Sequence, residues 1–179
     1  ILFIGRILYN KGVFDLINAI KILNLKNYHF DFFIIGDFDE RNPSGIKKKD
    51  FFENIKNIKN IKYLKYNKNI NNFIYDYSTV VVPSHHEGGP KIILEASASG
   101  RLIFASNIPG CKNLIKNNIN GILFKKSDPS DLAKKIIRTF KSTNKINTLR
   151  KNATIKAHKL FSIEKVVEAH KRLYLTYEK

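Results

Sequence analysis

The sequence contains no methionine or tryptophan, a single cysteine, and fewer than half as many acidic residues as basic ones. Cys111 cannot form an internal disulfide or a zinc site of the usual cysteine spacing, which excludes a disulfide-stapled domain and favours a reducing, cytoplasmic environment. The chain begins at Ile1 and opens directly on an apolar strand. We therefore expect a fragment whose amino-terminal part is missing.

Long hydrophobic runs are also absent, because no apolar stretch approaches the roughly 18 residues that a membrane-spanning helix requires. The 32 basic and 15 acidic residues give a net charge of +17, which suits phosphorylated ligands, an anionic membrane surface or nucleic acid. However, Lys, Asn and Ile are abundant throughout, as expected from a genome rich in A and T. The lysines are also scattered over predicted helices, so the charge by itself selects none of these partners.

Short apolar runs alternate with segments of helical period, and this alternation predicts an α/β fold with a Rossmann-like parallel β-sheet and helices on both faces. No repeat or linker marks a second domain, so residues 1–179 are interpreted as one. The predicted strands are Ile1–Ile4, Phe30–Ile35, Ile61–Leu64, Thr79–Val82, Arg101–Ala105 and Gly121–Phe124.

Helices are predicted between these strands and over the carboxy-terminal part of the chain. They cover about Lys11–Leu25, a stretch after Gly45, Asn69–Tyr77, Pro90–Ser99, Pro109–Lys116, a segment starting at Asp128, and helices over about 144–179. The last of these carry apolar positions that we expect to pack on the sheet or on an absent half of the protein: Phe161, Val166, Val167, Leu173 and Tyr174.

The first candidate site follows the first strand, because open parallel sheets bind ligands beyond the carboxyl ends of their strands. Gly5-Arg6 forms that turn, and Lys11-Gly12 opens the next helix. A glycine that lets backbone approach a ligand, together with two cations, is what a diphosphate requires. A simple turn with solvated cations is the alternative.

The second candidate site follows the fourth strand, where Glu87, Gly88, Gly89 and Pro90 lead into a helix that carries Glu95. The glycines expose backbone N–H groups near a helix start, where the dipole favours an anion. Apolar neighbours on both sides of Glu95 predict a largely buried helix, in which an unpaired carboxylate is costly unless a ligand meets it. We therefore expect Glu95 to accept hydrogen bonds from ribose hydroxyls. An ordinary surface glutamate is the alternative.

Three other features of the sequence indicate which kinds of site are not expected. His85 and His86 are adjacent and lack a third ligand, so they predict no metal site, although one of them could contact substrate. Cys111 has no catalytic partner in the sequence and is interpreted as a small helix residue. The dinucleotide fingerprint G-x-G-x-x-G and the phosphate loop G-x-x-x-x-G-K-[ST] are both absent, which argues against a dehydrogenase or an ATPase.

In order along the chain, six segments resemble the carboxy-terminal domain of the retaining glycosyltransferases of family 4, also described as glycosyl transferases group 1. They are Phe3-Ile4-Gly5-Arg6, Lys11-Gly12, Ile35-Gly36-Asp37, Val82-Pro83-Ser84, Glu87-Gly88-Gly89-Pro90 through Glu95-Ala96, and Asn120-Gly121-Ile122-Leu123. Glu87 and Glu95, eight positions apart, are similar to the family's signature pair. The resemblance covers nearly the whole chain.

The resemblance implies a GT-B enzyme in which this chain is the nucleotide-sugar (donor) binding half and the acceptor is bound mainly by the missing amino-terminal domain. Arg6 and Lys11 would hold the donor diphosphate and stabilise the leaving group. Glu87, with the amides of Gly88 and Gly89, would approach the transferred sugar, and Glu95 would bind the ribose. In this view the catalytic residues are Arg6, Lys11 and Glu87, and the donor-binding residues add Gly5, Gly88, Gly89, Pro90 and Glu95.

The implied reaction moves a hexose or N-acetylhexosamine from a UDP-linked donor to a lipid-linked or polysaccharide acceptor with retention of configuration, without a metal or other cofactor. Pro90-Lys91 and Pro109-Gly110-Cys111 resemble the subgroup that extends polyprenyl-linked saccharides, whereas Gly89, His86 and Leu102 depart from it and put the sugar in doubt. A sugar-nucleotide epimerase and a nucleic-acid-binding module are the alternatives. The basic helices could also hold the protein peripherally against an anionic membrane.

Overall fold

The computed structural model describes residues 1–66 and 74–177. Within them, six strands form one sheet in the order β3-β2-β1-β4-β5-β6, and every pairing is parallel. The strands are β1 (Leu2–Ile4), β2 (Phe32–Ile35), β3 (Ile61–Leu64), β4 (Thr79–Val82), β5 (Leu102–Ser106) and β6 (Ile122–Phe124). The predicted parallel sheet is confirmed, with strand ends shifted by at most two residues.

The strand order reverses between β1 and β4. Leu2 of β1 pairs with Val80 of β4, while the next strand in sequence, β2, lies on the other side of β1. Connections from β1 and β4 therefore leave toward opposite sides and open a crevice at the carboxyl ends of these two strands, where open α/β sheets bind their ligands. This crevice lies between the two candidate sites that the sequence indicates.

Seven α-helices of six residues or more occur in the described residues, and all but the last pack around the sheet or on helices that do. They are α1 (Val13–Leu25), α2 (Lys48–Ile55), α3 (Lys91–Ala98), α4 (Pro109–Leu114), α5 (Pro129–Phe140), α6 (Thr143–Phe161) and α7 (Ile163–Tyr177). Of the helix predicted over 69–77, residues 69–73 lie outside the described residues and residues 74–76 are helical. Asp128 begins α5 as predicted, since its Oδ1 accepts a hydrogen bond from the backbone N–H of Asp131 at 2.9 Å.

Helix α1 begins two residues later than predicted. A short 3₁₀ turn, Tyr9–Lys11, comes first, and Gly12 then adopts the left-handed conformation with φ of 70°. A Cβ atom at Gly12 would lie 2.0 Å from the carbonyl oxygen of Pro83, so only glycine allows the two backbones to approach this closely. The start of α1 is thereby held against the end of β4.

The core has two parts, one on each face of the sheet. Alternate strand residues point to opposite faces, so Phe3 and Val81 pack with α1, α2 and α5, whereas Leu2 and Val80 pack with α3 and α4. These strands are apolar on both faces because helices cover both. The predicted two-sided arrangement is therefore confirmed.

For the apolar positions of α7, the structure excludes the first of the two predicted neighbours, the sheet, and packing on an absent half stays a prediction. Val166, Val167, Leu173 and Tyr174 of α7 are between 42% and 67% exposed, so they do not pack on the sheet. Helix α6 does contact the domain, with Leu149 buried in the core. Helix α7 follows after Ser162 and leaves its apolar stripe in solvent.

Candidate active site

A hollow of about 160 Å³ opens at the carboxyl ends of β1 and β4. Its lining combines backbone of the β1 turn, the loop after β4 and the start of α3. These residues are Phe3, Ile4, Gly5, Lys11, Val81, Val82, Ser84, Glu87, Pro90, Lys91 and Ile92. The structure thus brings Gly5, Lys11, Glu87 and Pro90 together at the reversal of strand order. The hollow is smaller than the about 300–1,000 Å³ of a typical ligand pocket.

Lys11 and Glu87 form the polar centre of this hollow. The Nζ of Lys11 donates a hydrogen bond to Oε1 of Glu87 at 2.5 Å, and the Oγ of Ser84 donates to the same oxygen at 3.0 Å. The Lys11 and Glu87 side chains are 24% and 17% exposed. Among the described residues both contacts involve Oε1, so Oε2 is available to accept a hydrogen bond from a ligand. A cation and an acceptor therefore face one small space.

Arg6 lies beside the hollow but does not line it. Its side chain is 58% exposed, and Nη1 forms an ion pair with Oδ2 of Asp39 at 3.0 Å. Asp39 belongs to the loop after β2, which is joined to the β1 turn by the hydrogen bond from Ile7 N–H to the Asp37 carbonyl. An exposed pair of this kind is worth only about 0–1 kcal/mol. Arg6 can therefore exchange Asp39 for a more highly charged anion.

Gly88 and Gly89 are exposed and precede Pro90, which is the N-cap of α3 and not its first helical residue as predicted. A Cβ atom at either glycine would meet nothing within 4 Å. These glycines are therefore not required by packing around their Cα atoms, and they do not line the hollow, although Glu87 before them and Pro90 after them do.

Glu95 is exposed, and the prediction that it lies in a largely buried helix is wrong. Helix α3 buries Ile93, Ala96 and Ser97, and Glu95 projects from the other side. At 100° per residue, a position two residues from Ile93 lies about 200° around the helix. Glu95 lines a separate hollow with residues 74–75, 98 and 99. Its carboxylate carries no burial cost, so a ribose-binding role rests on the resemblance alone.

Helix α4 packs directly on the loop that carries Glu87. A Cβ atom at Gly110 would lie 2.1 Å from the Glu87 carbonyl oxygen, so glycine is required for this approach. The next residue, Cys111, is fully buried. Burial, with a smaller contribution from the negative charge of Glu87, raises the pKa of the Cys111 thiol from 9.0 to about 12. A thiol protonated at neutral pH is no nucleophile, in agreement with its interpretation as a small helix residue.

Two features of the site were missed by sequence reasoning. Lys91 lines the hollow as a second cation at the start of α3, and its place directly after the N-terminal Pro90 could have indicated this. His85 does not line the hollow, and its Nε2 lies 2.6 Å from Oδ2 of Asp15 on α1. The neighbouring His86 is exposed. No sequence spacing relates His85 to Asp15, because they meet only through the tertiary fold.

Two kinds of feature, a metal-binding cluster and a membrane-spanning helix, do not occur within the described residues, 1–66 and 74–177. No group of three or more His, Cys, Asp or Glu side chains is arranged to hold a metal ion. No helix is both long and apolar enough to cross a membrane. The charged and hydroxyl side chains that line the hollow are those of Lys11, Ser84, Glu87 and Lys91.

A doubly wound parallel sheet with a lysine and a glutamate at its strand-order reversal defines a Rossmann-like ligand-binding domain. Residues 1–156 match the family described as glycosyl transferases group 1. The chain belongs to this family. The matched range contains the hollow and all eight site residues that the sequence indicates.

Similar proteins come from several bacteria. The chain is 25% identical over 177 residues to the capsular polysaccharide biosynthesis glycosyltransferase CapM of Staphylococcus aureus, covering 99% of this chain and 46% of CapM. It is 31% identical over 153 residues to the N,N'-diacetylbacillosaminyl-diphospho-undecaprenol alpha-1,3-N-acetylgalactosaminyltransferase of Campylobacter jejuni, covering 86% of this chain and 38% of that protein. The chain thus spans about half the length of such relatives, or less.

The fold is shared with solved structures. The crystal structure of Anabaena HepE in complex with UDP superimposes with a TM-score of 0.84 and 22% sequence identity, over 99% of this chain and 48% of HepE. At this identity the likeness establishes the fold, and the Rossmann-like prediction is confirmed.

Proposed function

We propose that this chain is the donor-binding half of a retaining glycosyltransferase that uses a UDP-linked hexose or N-acetylhexosamine. The observation that carries the proposal is the convergence of Lys11 and Glu87 in the hollow between β1 and β4. Support comes from membership of the glycosyl transferases group 1 family and from the fold shared with HepE, which was crystallised with UDP.

The positive groups at the site suit a diphosphate. Lys11 and Lys91 line the hollow, and Arg6 stands next to it in an exposed pair that is readily exchanged. Two lysines and an arginine supply charge-assisted hydrogen bonds to phosphate oxygens. As the bond between sugar and diphosphate breaks, negative charge grows on the leaving group, and these fixed cations stabilise it.

Glu87 and the amides of Gly88 and Gly89 suit the sugar. The carboxylate is anchored through Oε1 by Lys11 and Ser84, which leaves Oε2 to accept a hydrogen bond from a sugar hydroxyl. The anchored carboxylate therefore also fixes where the sugar stands relative to the diphosphate. In this proposal Arg6, Lys11 and Glu87 take part in the reaction, and no metal or other cofactor is required.

The hollow of about 160 Å³ is only one wall of the active site. A second domain, corresponding to the part of the relatives that this chain does not span, would close the cleft and bind the acceptor. We propose a lipid-linked or polysaccharide acceptor, because the C. jejuni relative is named for an undecaprenyl-diphosphate-linked acceptor and CapM for capsular polysaccharide. The net charge of +17 would help to hold the protein at an anionic membrane surface.

The decisive experiment is isothermal titration calorimetry of this chain with UDP, UDP-glucose and UDP-N-acetylglucosamine, with GDP and ADP for comparison. We expect saturable binding of the uridine nucleotides, and a folded sample that binds no nucleoside diphosphate would overturn the proposal.

Incubating the full-length enzyme with donor alone separates transferase from epimerase, because an epimerase converts the donor without an acceptor. Sedimentation with anionic vesicles at low and high salt tests the membrane contact, and absence of salt-sensitive binding would contradict it.

A further inference from the structure

Asp15 and His85 join two distant segments of the chain next to the hollow. Asp15 lies in the first turn of α1, and His85 lies in the loop after β4. Because a carboxylate only accepts hydrogen bonds, Nε2–H of His85 donates to Oδ2 of Asp15 over 2.6 Å. The two side chains are 30% and 20% exposed, so the contact is partly shielded from water.

This contact belongs to a set that fastens residues 10–15 to residues 83–87. The backbone N–H of His85 donates to the carbonyl of Asn10 at 2.8 Å, and Gly12 lies against the carbonyl of Pro83. Lys11 and Glu87, which face the hollow, form the last contact of the set. Asp15 and His85 are therefore only a few positions along the chain from Lys11 and Glu87, the residues proposed to bind the nucleotide-sugar donor.

The loop after β4 has no secondary structure of its own to fix its position, so contacts with other segments must hold it. Residues 83–90 contain no regular helix or strand, and an added Cβ atom at Gly88 or Gly89 would meet nothing within 4 Å, so no packing surrounds the Cα positions of these two glycines. The position of Glu87 is therefore set by contacts on its amino-terminal side and by the packing of α4 beneath it. Ligand groups bind more tightly when their protein partners are ordered beforehand, because less conformational entropy is lost on binding.

We propose that the Asp15–His85 pair is a positioning device that holds the β4–α3 loop so that Glu87 and Lys11 are in place for the donor. The inference rests on the proposed function and adds two residues that contact neither diphosphate nor sugar. His85 acts through Glu87 and Lys11 and is not a catalytic residue. His86, its exposed neighbour, makes no hydrogen bond or ion pair with the described residues and takes no part.

Hydrogen exchange of the free protein is the first test. His85→Ala removes the side-chain contact but keeps the backbone N–H that donates to Asn10, so exchange at residue 85 remains measurable. We expect faster exchange across residues 84–87 in His85→Ala and in Asp15→Ala, and unchanged exchange in His86→Ala. His85→Gln, whose amide N–H can reach the carboxylate, should restore slow exchange. Unchanged exchange in folded His85→Ala would overturn the proposal, and Asp15→Ala provides the same test if His85→Ala does not fold.

Calorimetry with UDP is the second test. His85→Ala should raise the dissociation constant by roughly two- to tenfold, the size of one typical hydrogen bond and less than the loss of a direct contact to the ligand, and His85→Gln should recover most of the affinity. In a Lys11→Ala background the further effect of His85→Ala should disappear, because the pair acts through Lys11 and Glu87. An additive loss in that background would indicate a merely structural role and overturn the proposal. If the wild type binds no nucleotide, the proposed function fails, while the exchange test still decides whether the pair orders the loop.

Discussion

Lys11 Nζ lies 2.5 Å from Glu87 Oε1, so two residues separated by 76 positions in the sequence form a hydrogen-bonded ion pair in the hollow. In the free protein each neutralises the other. A diphosphate that binds Lys11 therefore competes with Glu87 or joins the pair through the remaining N–H groups of the lysine. This relationship gives the two residues different, separable roles in binding.

Lys11→Ala should weaken binding of UDP by roughly ten- to a hundredfold, because a charge-assisted hydrogen bond is worth about 1.5–3 kcal/mol. Calorimetry measures the dissociation constant, and Lys134→Ala on the exposed side of α5 is the matched control. Equal losses in the two variants would show that only the overall positive charge of the chain matters, and would contradict a role for Lys11.

Glu87→Gln should not weaken the binding of UDP, in contrast to Lys11→Ala. The variant removes the competitor of the diphosphate, so its affinity for UDP should be unchanged or a few-fold higher. The additional affinity for a UDP-sugar over UDP should be lost, because the amide is a poorer acceptor for a sugar hydroxyl than a carboxylate. Titrations with UDP and UDP-N-acetylglucosamine make the comparison, and a large loss of UDP affinity alone would contradict the assignment of Glu87 to the sugar.

Glu95→Ala separates a ligand-binding glutamate from a surface one. Because Glu95 is exposed, the free energy of unfolding should change by no more than about 0.5 kcal/mol. If Glu95 binds the ribose, the wild type should prefer UDP over its 2′-deoxy analogue and the variant should not. Glu53→Ala on the exposed side of α2 is the control. Retention of the preference in Glu95→Ala would assign Glu95 to the solvated surface.

Gly110→Ala should destabilise the domain, because the added Cβ meets the Glu87 carbonyl oxygen at 2.1 Å. Overpacking of this kind costs about 1–3 kcal/mol, which lowers the melting temperature by several degrees in a domain of this size. Gly89→Ala is the control for melting temperature, since its Cβ would occupy open space. Similar melting temperatures for both variants would mean that α4 shifts away from the loop without cost.

Cys111 should give a pH-dependent contribution to stability. Its pKa is raised from 9.0 to about 12 in the folded protein, so between these values the unfolded chain loses the proton while the folded one keeps it. The contribution is therefore constant below about pH 9 and is lost as the pH rises toward 12. Chemical unfolding of wild type and Cys111→Ala between pH 8 and 10.5 measures it, and parallel pH profiles for the two proteins would contradict the prediction.

The positions of the strands along the chain and the main site motifs followed from the sequence because they depend on local patterns. Runs such as Thr79–Val82 are apolar and β-branched and end at Pro83, so their position is marked in the sequence itself. Gly5, Lys11, Glu87 and Pro90 follow strands that end on one edge of the sheet. A parallel topology places them on the same edge, and the adjacency of β1 and β4 in the sheet brings them together.

Other features depend on which face of an element the fold covers. The apolar neighbours of Glu95 predicted burial, yet α3 packs through Ile93 and Ala96, and Glu95 stays in solvent. The apolar stripe of α7 likewise predicted a contact with the sheet or with an absent half of the protein, and the exposure of Val166 and Val167 excludes the sheet. Periodicity shows that a helix has an apolar side, but the neighbour of that side is set by the whole chain.

By itself, the sequence determined that this protein is an α/β domain with a lysine and a glutamate among its strand-end turns, because strand propensity and turn residues are encoded locally. Only the tertiary structure decided that Lys11 pairs with Glu87, that Arg6 pairs with Asp39 and that His85 reaches Asp15. Each of these pairs joins residues at least 33 positions apart. Such contacts come from the packing of strands and loops that no local pattern relates.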